Sequence, residues 1–211
     1  MTMWHAIGRQ LKHPSGLAGG MIGHAMRWAN DRPTRMAVDA LDPQPGDHVL
    51  DVGCGSGHAV ALLAQRVGAS GHVTGVDGSA TMIAQARRAN ATELSESRVS
   101  LMVADFDHLP FEPCSFDGII ASNVIYFWND PASMVARLRG LLKPGGRLVI
   151  YATASETMRR WKFAQPDTHH WIDVASLRCA LAEGGFADDQ TYVSEALLPF
   201  VVHGLVAVAT K

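Results

Sequence analysis

Charged residues are scarce in this sequence, and neither sign dominates. Eighteen Lys and Arg stand against 20 Asp and Glu in 211 residues, which gives a formal net charge of −2 and a charged fraction of 18%. A protein whose main task is to bind nucleic acid normally carries a strongly basic surface that neutralises phosphates. We therefore expect no nucleic acid among its partners. The hydrophobic fraction of 47% is typical of a folded globular chain.

Cysteine is also rare, and long hydrophobic runs are missing. The three cysteines, Cys54, Cys114 and Cys179, are odd in number and widely spaced, so neither a disulfide framework nor a CxxC metal site is expected. No stretch reaches the roughly 18 consecutive apolar residues that a transmembrane helix requires. The first residues carry no signal-peptide pattern. Together these absences predict a soluble, cytoplasmic protein.

Metal-binding patterns are missing as well. The sequence contains ten histidines, but no two of them stand at HxxxH or HExxH spacing in a helical context. His169 and His170 are adjacent, so their side chains point in different directions. We expect no metal site.

The part of the chain up to residue 45 predicts a helical cap made of two short helices, Leu17–Asp31 and Pro33–Leu41. The first helix has an apolar stripe, but four glycines lie in or beside it, and each costs about 1 kcal/mol relative to alanine. It would therefore need a partner surface or a ligand to become ordered. A lid that closes over the site is the favoured interpretation. A basic amphipathic helix resting on a membrane surface is the alternative.

From residue 46 to residue 211, short apolar strands alternate with helices, which predicts one α/β domain with a parallel sheet. The predicted strands are His48–Gly53, His72–Asp77, Val99–Val103, Phe116–Ser122 and Arg147–Tyr151, and the helices between them are Gly57–Val67, Ser79–Asn90 and Pro131–Leu142. After a helix at Ile172–Glu183, the strands Asp189–Ser194 and Leu205–Thr210 follow each other without an intervening helix. We expect these two strands to pair antiparallel, so that the last strand is reversed.

The sharpest local pattern is VLDVGCGSGH, an apolar strand that runs into Gly53, Gly55 and Gly57. Glycines at a strand-to-helix turn let a ligand approach the backbone, and the helix that follows offers free N–H groups. The dinucleotide pattern GxGxxG fails, because a count from Gly53 ends at His58 rather than at glycine. A pyrophosphate cradle is therefore not expected, whereas a nucleoside ligand stays open.

Three residues near this loop have alternative interpretations. Asp77 ends the second strand, where a carboxylate can accept both hydroxyls of a ribose or can simply favour the N-terminus of the next helix. Ser79 is the candidate cap of that helix. Cys54 lies beside a helix N-terminus, which can lower the pKa of a thiol, but no histidine partner is indicated and a small buried side chain is favoured.

Four segments in order are VLDVGCGSGH, VTGVDGSATMIAQAR, ADFDHLPFEPCSFDGIIASNVIYFW and LLKPGGRLVI. This succession resembles the motifs of the class I S-adenosylmethionine-dependent methyltransferases, in the small-molecule branch that includes quinone-biosynthesis enzymes. The resemblance implies a Rossmann-like, doubly wound sheet of seven strands, with the antiparallel last strand between two others. It also implies S-adenosyl-L-methionine as the cofactor and S-adenosyl-L-homocysteine as the product.

The resemblance further assigns cofactor contacts to residues at matching positions. Asp51 would bind the methionine amino group, Asp77 the ribose hydroxyls and Asp105 the adenine amino group. The complete implied set is Asp51, Gly53, Cys54, Gly55 and Gly57 in the glycine loop, Asp77, Gly78 and Met82 after the second strand, Ala104, Asp105 and Phe106 after the third, and Asn123 after the fourth.

Asn123 and Tyr126 are the candidate catalytic residues, in a positioning role near the transferable methyl group. Relatives that methylate nucleobase nitrogens carry Asn/Asp-Pro-Pro-Tyr here, whereas this chain has Asn123-Val-Ile-Tyr126. This difference argues against a nucleic-acid amino group as the methyl acceptor. A general base is needed only when the acceptor holds a proton of high pKa, and the sequence shows no catalytic triad.

These observations predict a methyltransferase that acts on a small hydrophobic or amphipathic molecule by in-line displacement, as a monomer or a homodimer. Oxygen, nitrogen and carbon all stay open as acceptor atoms. One alternative is methylation of a phospholipid or quinone at a membrane surface, with peripheral contact through the N-terminal helix. Another is a non-catalytic protein that binds S-adenosylmethionine. A nicotinamide-dependent dehydrogenase is opposed by the failed GxGxxG count and by the antiparallel end of the sheet.

Overall fold

The computed structural model describes residues 30–164 and 169–211, and within them seven strands form one sheet. The strands are β1 (His48–Val52), β2 (His72–Asp77), β3 (Val99–Val103), β4 (Phe116–Ser122), β5 (Leu142–Thr153), β6 (Thr191–Leu198) and β7 (Val202–Thr210). Their order is β3-β2-β1-β4-β5-β7-β6. The pairs among β1 to β5 are parallel, whereas β7 is antiparallel to both β5 and β6. The predicted doubly wound sheet with a reversed last strand is confirmed.

The helices connect these strands, and several begin at a side-chain cap. They are α1 (30–41), α2 (His58–Val67), α3 (Ala80–Ala89), α4 (Ala91–Ser95), α5 (Pro131–Leu141), α6 (Ser155–Met158) and α7 (Val174–Glu183), with 3₁₀ turns at Phe106–His108, Ile125–Phe127, Asp188–Gln190 and Pro199–Val201. Ser79, Asp130 and Asp173 cap α3, α5 and α7, each by accepting a hydrogen bond from a first-turn N–H. None of these helices is long and apolar enough to cross a membrane.

The C-terminal strands are longer than predicted, because they form one hairpin. Only the turn Pro199–Val201 joins β6 to β7, and a connection this short can link only antiparallel strands. The segment Glu195–Gly204, expected to be a connection, is therefore mostly strand. Pairing continues from Thr191 opposite Ala209 to the residues that flank the turn.

Strand β5 also departs from the prediction, since it starts at Leu142 rather than at Arg147. Phe116 of β4 pairs with Leu142, but Gly118 pairs with Arg147, so β5 carries extra residues over this interval. The Lys143–Gly146 segment was expected to end the preceding helix and turn into the strand. It is instead an irregularity inside the paired strand, and Gly145 supplies the positive φ of 78°.

Two hydrophobic cores cover the two faces of the sheet. Alternate residues of each strand enter opposite cores, as the pleat requires. In β5, Leu148 and Ile150 join the core that includes residues of α5 and α7, whereas Val149 and Tyr151 join the core that includes residues of α1 and α2. The central strands are buried on both sides, which matches their continuous apolar sequence.

Helix α1 is continuous through Pro33, so the predicted break between two N-terminal helices at residue 32 is wrong. Proline needs no N–H partner in the early part of a helix, and it therefore does not force a break there. Ala37, Val38 and Leu41 are buried in the second core and fasten α1 to the sheet. The remainder of the predicted Leu17–Asp31 helix lies outside the described residues, and the lid formed by the residues before α1 stays a prediction.

Candidate functional site

The candidate site lies at the carboxyl edge of the sheet, where the strand order reverses. From β1 the chain continues outward through β2 and β3 on one side, while β4 and β5 lie on the other side of β1. Ligand sites of doubly wound sheets lie at such a reversal, outside the carboxyl ends of the strands. The glycine loop follows β1 and Asn123 follows β4, so they lie on either side of this point.

The three glycines of the loop have different physical reasons to be glycine. Gly53, Gly55 and Gly57 all have positive φ, of 76°, 52° and 82°. A Cβ at Gly53 would lie 2.7 Å from the side chain of Val124, and one at Gly57 would lie 2.5 Å from Nδ2 of Asn90. Packing therefore requires both of them. A Cβ at Gly55 would meet no atom of the described residues within 4 Å, so none of them blocks the approach of a ligand there.

Two carboxylates flank this open point. Asp77 accepts hydrogen bonds from the N–H of Gly55 at 2.9 Å and from that of Ser79 at 2.8 Å. Asp51 is 1% exposed, and its Oδ2 has no hydrogen-bond partner among the described residues. Burial, reinforced by the negative charge of Asp77, raises the pKa of Asp51 to about 7. A cation that donates hydrogen bonds would satisfy Asp51 and stabilise its ionised form.

The thiol of Cys54 points into the core and not toward a ligand. It belongs to the same buried cluster as Val60 and Leu101, and the N–H of Cys54 donates to the carbonyl of Val76 at 2.9 Å. Burial, followed by the charges of Asp51 and Asp77, raises the pKa of this thiol. Cys54 is thus the small buried side chain that the sequence favoured, and only its backbone borders the loop.

At the start of α3, Asp77 and Ser79 have different roles. The hydroxyl of Ser79 accepts a hydrogen bond from the N–H of Met82 at 3.3 Å, so Ser79 is the helix cap. Met82 is buried, and a Cβ at Gly78 would meet no described atom within 4 Å. No residue in the described part of the chain therefore fills the space beside Gly78, next to Asp77 at the end of β2.

The residues after β3 lie next to the end of β2. The N–H of Ala104 donates to the carbonyl of Asp77 at 3.2 Å, which fixes the two strand ends to each other. Asp105 follows with a side chain that is 70% exposed, and its Oδ1 accepts from the N–H of Asp107 at 3.0 Å. Phe106 is partly buried against the first core. The chain thus places an accessible carboxylate and an aromatic ring on the Asp77 side of the loop.

On the other side of the loop, Asn123 is held by a polar network. Its φ of 54° is left-handed, a conformation that asparagine tolerates better than most residues. Its Oδ1 accepts from the hydroxyl of Tyr126 at 2.7 Å and from that of Thr153 at 3.3 Å, and its Nδ2 donates to Oδ1 of Asn30 at 3.0 Å. The Tyr126 hydroxyl also accepts from the N–H of Thr153. Burial raises the pKa of Tyr126, which favours the protonated hydroxyl that donates to Asn123.

Sequence reasoning missed two residues of α1 that reach this edge. Asn30 contacts Asn123 across 93 residues of sequence, and Asp31 Oδ1 lies 2.8 Å from Nε2 of His58, just after the glycine loop. The hydrogen bond from Arg35, and then that from His58, hold the pKa of Asp31 below its usual range. No spacing pattern indicates such distant pairs. The first two residues described in α1 therefore contact both halves of the site.

Two aromatic residues, Tyr126 and Phe127, follow Asn123 along the chain, and the ring of His169 packs against both of them. The His169 ring is buried, with its centroid 5.0 Å from that of Phe127 and 6.2 Å from that of Tyr126. Nothing in the sequence distinguished His169 from the exposed His170, whose N–H donates to the carbonyl of Tyr126. Across the part of the chain that the structure describes, no group of His, Cys, Asp or Glu is arranged to hold a metal.

Comparison with known proteins gives concordant results. A family model described as a methyltransferase domain matches residues 50–150. The 2-phytyl-1,4-naphtoquinone methyltransferase of Trichormus variabilis is 34% identical over 168 residues, which are 79% of this chain and 71% of that protein. Aklanonic acid methyltransferase of a Streptomyces species is 39% identical over 114 residues, 54% of this chain and 51% of that enzyme.

The fold also has solved counterparts. An S-adenosylmethionine-dependent methyltransferase from Mesorhizobium loti superposes with a TM-score of 0.69 at 20% identity, over 87% of this chain and 98% of that one. At that identity the likeness concerns the fold alone. The chain spans only 32% to 51% of the length of the first curated relatives that it matches.

Proposed function

Because this chain belongs to the S-adenosylmethionine-dependent methyltransferase family, we propose that it transfers a methyl group from that cofactor to a small hydrophobic or amphipathic molecule. The observation that carries the proposal is Asp51. It is a buried carboxylate with a raised pKa and one oxygen that no described residue pairs with, beside a loop in which no described atom fills the space at Gly55. Such a group requires a cationic hydrogen-bond donor, and the α-ammonium of the cofactor is one.

The proposed cofactor contacts follow the open groups along the edge. Asp51 would bind the ammonium, Asp77 would accept from the ribose hydroxyls beside the open space at Gly78, and Asp105 would accept from the adenine amino group. When bound, the cofactor supplies a methyl group already activated on a sulfonium. The residues of this chain therefore have to bind, orient and exclude water, and they need little acid or base chemistry.

On the acceptor side, the proposed roles are positional. Tyr126 holds the Asn123 side chain, and its ring packs with those of Phe127 and His169. An aromatic cluster of this kind suits a hydrophobic acceptor. The names of the relatives agree with this choice, since one methylates a phytyl naphthoquinone and another aklanonic acid.

The cofactor assignment is tested by Asp51→Asn, which keeps the size of the side chain and removes the charge. S-adenosylhomocysteine binding, measured by calorimetry at pH 8, should weaken about tenfold to 100-fold, because a charge-assisted hydrogen bond is worth about 1.5–3 kcal/mol. Asp189→Asn makes the same change at an exposed position and should leave the affinity unchanged. An unchanged affinity in Asp51→Asn would remove the proposed ammonium site.

The same variant separates this site from a purely structural carboxylate. An ionised Asp51 without a partner costs stability, so Asp51→Asn should raise the melting temperature of the ligand-free protein at pH 8 by about 3–6 °C. A structural role predicts the opposite sign, with a lower melting temperature. The variant therefore distinguishes a binding carboxylate from a structural one by two independent measurements.

A second candidate function is methylation at a membrane surface, and the hairpin tip between β6 and β7 favours it. Phe200 is 87% exposed and Val201 is 58% exposed, and both have positive φ, of 63° and 57°. Strained, exposed apolar residues at the carboxyl edge of a sheet indicate a function rather than stability. Insertion into the surface of a lipid bilayer would bury them.

Co-sedimentation with phosphatidylglycerol vesicles tests this second candidate. Phe200→Asn removes the apolar side chain and suits a left-handed backbone, so it should release the protein from the vesicles without lowering its stability. Tyr192→Ser removes an aromatic ring that is 65% exposed at the other end of β6, and it should have no effect. Equal vesicle binding by both variants would exclude the tip as a membrane contact.

The non-catalytic alternative is tested by turnover. Release of S-adenosylhomocysteine in the presence of a panel of hydroxylated and aminated aromatic compounds is expected for the enzyme. Tight binding of the cofactor without release, for every compound tried, would favour a binding protein.

A further inference from the structure

The polar network around Asn123 fixes which end of its carboxamide is oxygen and which is nitrogen. The backbone N–H of Thr153 can only donate, and it donates to the Tyr126 hydroxyl. The hydrogen of that hydroxyl has two acceptors within reach, the Thr153 carbonyl at 3.5 Å and Asn123 Oδ1 at 2.7 Å, and the much shorter contact favours Asn123 Oδ1. Thr153 Oγ1, at 3.3 Å, adds a second donor to the same oxygen. Both lone pairs of Asn123 Oδ1 are therefore taken.

The amide nitrogen of Asn123, unlike the oxygen, is not fully paired among the described residues. Nδ2 carries two hydrogens, and one of them is donated to Asn30 Oδ1 at 3.0 Å. No other described residue accepts from Nδ2. Asn123 is half-buried at the end of β4, on the acceptor side of the site. The network thus leaves one N–H donor there and no free acceptor oxygen on this side chain.

We propose that this donor selects the methyl acceptor: the chain methylates a phenolic or enolic oxygen, bound as a hydrogen-bond acceptor at Asn123 Nδ2, in preference to an amine. The inference rests on the proposed function and decides a point that it leaves open. An amino group would direct its own N–H toward a side chain that, once its described partners are counted, offers only another N–H. Two donors facing each other leave both unpaired, which is costly in a partly buried site.

The same donor compensates for the missing base. A hydrogen bond to a phenolate or enolate favours the charged form and lowers the pKa of the hydroxyl. The hydroxyl proton leaves to water, because Tyr126 already donates and accepts within the network. The oxygen lone pair then forms the new C–O bond, while the electrons of the broken S–CH₃ bond remain on sulfur.

The orientation of the carboxamide is tested first, and without any turnover. In protein labelled with ¹⁵N-asparagine and saturated with S-adenosylhomocysteine, the Asn123 side-chain protons should show nuclear Overhauser effects to Asn30 and none to the Tyr126 ring or the Thr153 methyl group. Effects to Tyr126 and Thr153 instead would mean that the amide is reversed, and would overturn the inference.

The preference is tested with matched aromatic pairs such as 1-naphthol and 1-naphthylamine, in which a hydroxyl is exchanged for an amino group on the same ring. The hydroxyl member of each pair should be methylated at least tenfold faster. Faster methylation of the amines would overturn the inference. If neither member of any pair is methylated, the orientation of the Asn123 amide decides whether the inference holds. Failure of the proposed function would look different, since the wild-type protein would then not bind S-adenosylhomocysteine.

A matched variant sharpens the assignment. Asn123→Asp keeps an oxygen for the Tyr126 and Thr153 hydroxyls and removes the N–H, so kcat/KM for the hydroxyl acceptors should fall about 100-fold. Asn129→Asp makes the same change at an exposed position six residues later and should leave kcat/KM unchanged. Full activity of Asn123→Asp would overturn the role of the donor. If Asn123→Asp fails to fold, the wild-type measurements still decide.

Discussion

The two halves of the site differ in what their polar groups still lack. In the cofactor half, the half after β1 to β3 that is proposed to bind the cofactor, one oxygen of Asp51 has no described partner and Asp105 exposes most of its side chain. In the acceptor half, after β4 and β5, Asn123, Tyr126 and Thr153 satisfy one another almost completely. The first half is therefore suited to bind a charged ligand. The second half is already ordered, and it determines the direction in which a single N–H can be offered.

This difference teaches how the two halves gain specificity. An unsatisfied buried carboxylate obtains affinity from the ligand that pairs with it, at a cost to the stability of the free protein. A network whose hydrogen bonds are satisfied obtains selectivity from its fixed geometry, and it costs the free protein little stability. Changes in the cofactor half should therefore alter ligand affinity, and changes in the acceptor half should alter stability and turnover.

The largest expected effect on affinity, after that of Asp51→Asn, concerns Asp77. Asp77→Ala removes the acceptor of the Gly55 and Ser79 N–H groups together with the proposed ribose contact. S-adenosylhomocysteine binding should weaken by about 1–3 kcal/mol, since charge-assisted hydrogen bonds are lost. Calorimetry gives the affinity. An affinity equal to that of the wild-type protein would remove Asp77 from the cofactor half.

The next largest effect is a loss of stability and turnover, caused by a change in the acceptor half that should leave cofactor affinity unchanged. Tyr126→Phe deprives Asn123 of a donor and leaves the N–H of Thr153 unpaired, so the free energy of unfolding should fall by about 1–3 kcal/mol. Chemical denaturation measures the loss, and turnover should fall with it. A loss of S-adenosylhomocysteine binding larger than that of Asp77→Ala would contradict the division into two halves.

The affinity for S-adenosylhomocysteine should change about tenfold with pH, and this dependence should arise only from the cofactor half. The pKa of Asp51 is about 7 in the free protein, and the ionised form is the one that pairs with an ammonium. Affinity for S-adenosylhomocysteine should therefore rise about fivefold between pH 6 and pH 7 and about tenfold between pH 6 and pH 8, and level off above that. Asp51→Asn should flatten this dependence. A profile that is flat in the wild-type protein as well would mean that the ligand does not use Asp51.

Stability should show the opposite trend with pH. A carboxyl whose pKa is raised from 3.8 to about 7 on folding stabilises the fold at low pH, and this contribution is lost as the pH rises toward 7. In the ligand-free protein, the difference in unfolding free energy between Asp51→Asn and wild type should therefore grow from pH 4 to pH 7. Urea titrations at several pH values measure it. A constant difference would contradict the burial of an unpaired charge.

The smallest expected effect concerns Asp105, because its carboxylate is accessible to water. Asp105→Asn should weaken binding of adenosyl ligands about twofold to fivefold, since a solvent-exposed hydrogen bond contributes less than about 1 kcal/mol. The melting temperature of the ligand-free protein should hardly change. A large drop in that temperature would show that Asp105 is a structural residue that anchors the turn through Asp107.

Much of the cofactor half could be predicted from the sequence because its residues are close together along the chain. Gly53, Gly55 and Gly57 are contiguous with β1, and Asp77 ends the next strand. The short apolar runs likewise predicted β1 to β4 to within one residue, and Ser79 was the candidate cap of the helix after β2. These features depend on local geometry, and local geometry can be read from neighbouring residues.

The tertiary structure alone decided the rest. It separated Gly55, which faces open space, from Gly53 and Gly57, which packing requires, although all three look alike in the sequence. It brought Asn30, Thr153 and His169 to the acceptor half from distant parts of the chain. It also set the pKa of Asp51, because burial and the charge of Asp77 depend on how β1 and β2 lie side by side. Contacts, burial and charge proximity depend on distances in space, and the order of residues along a chain does not contain those distances until the sheet has formed.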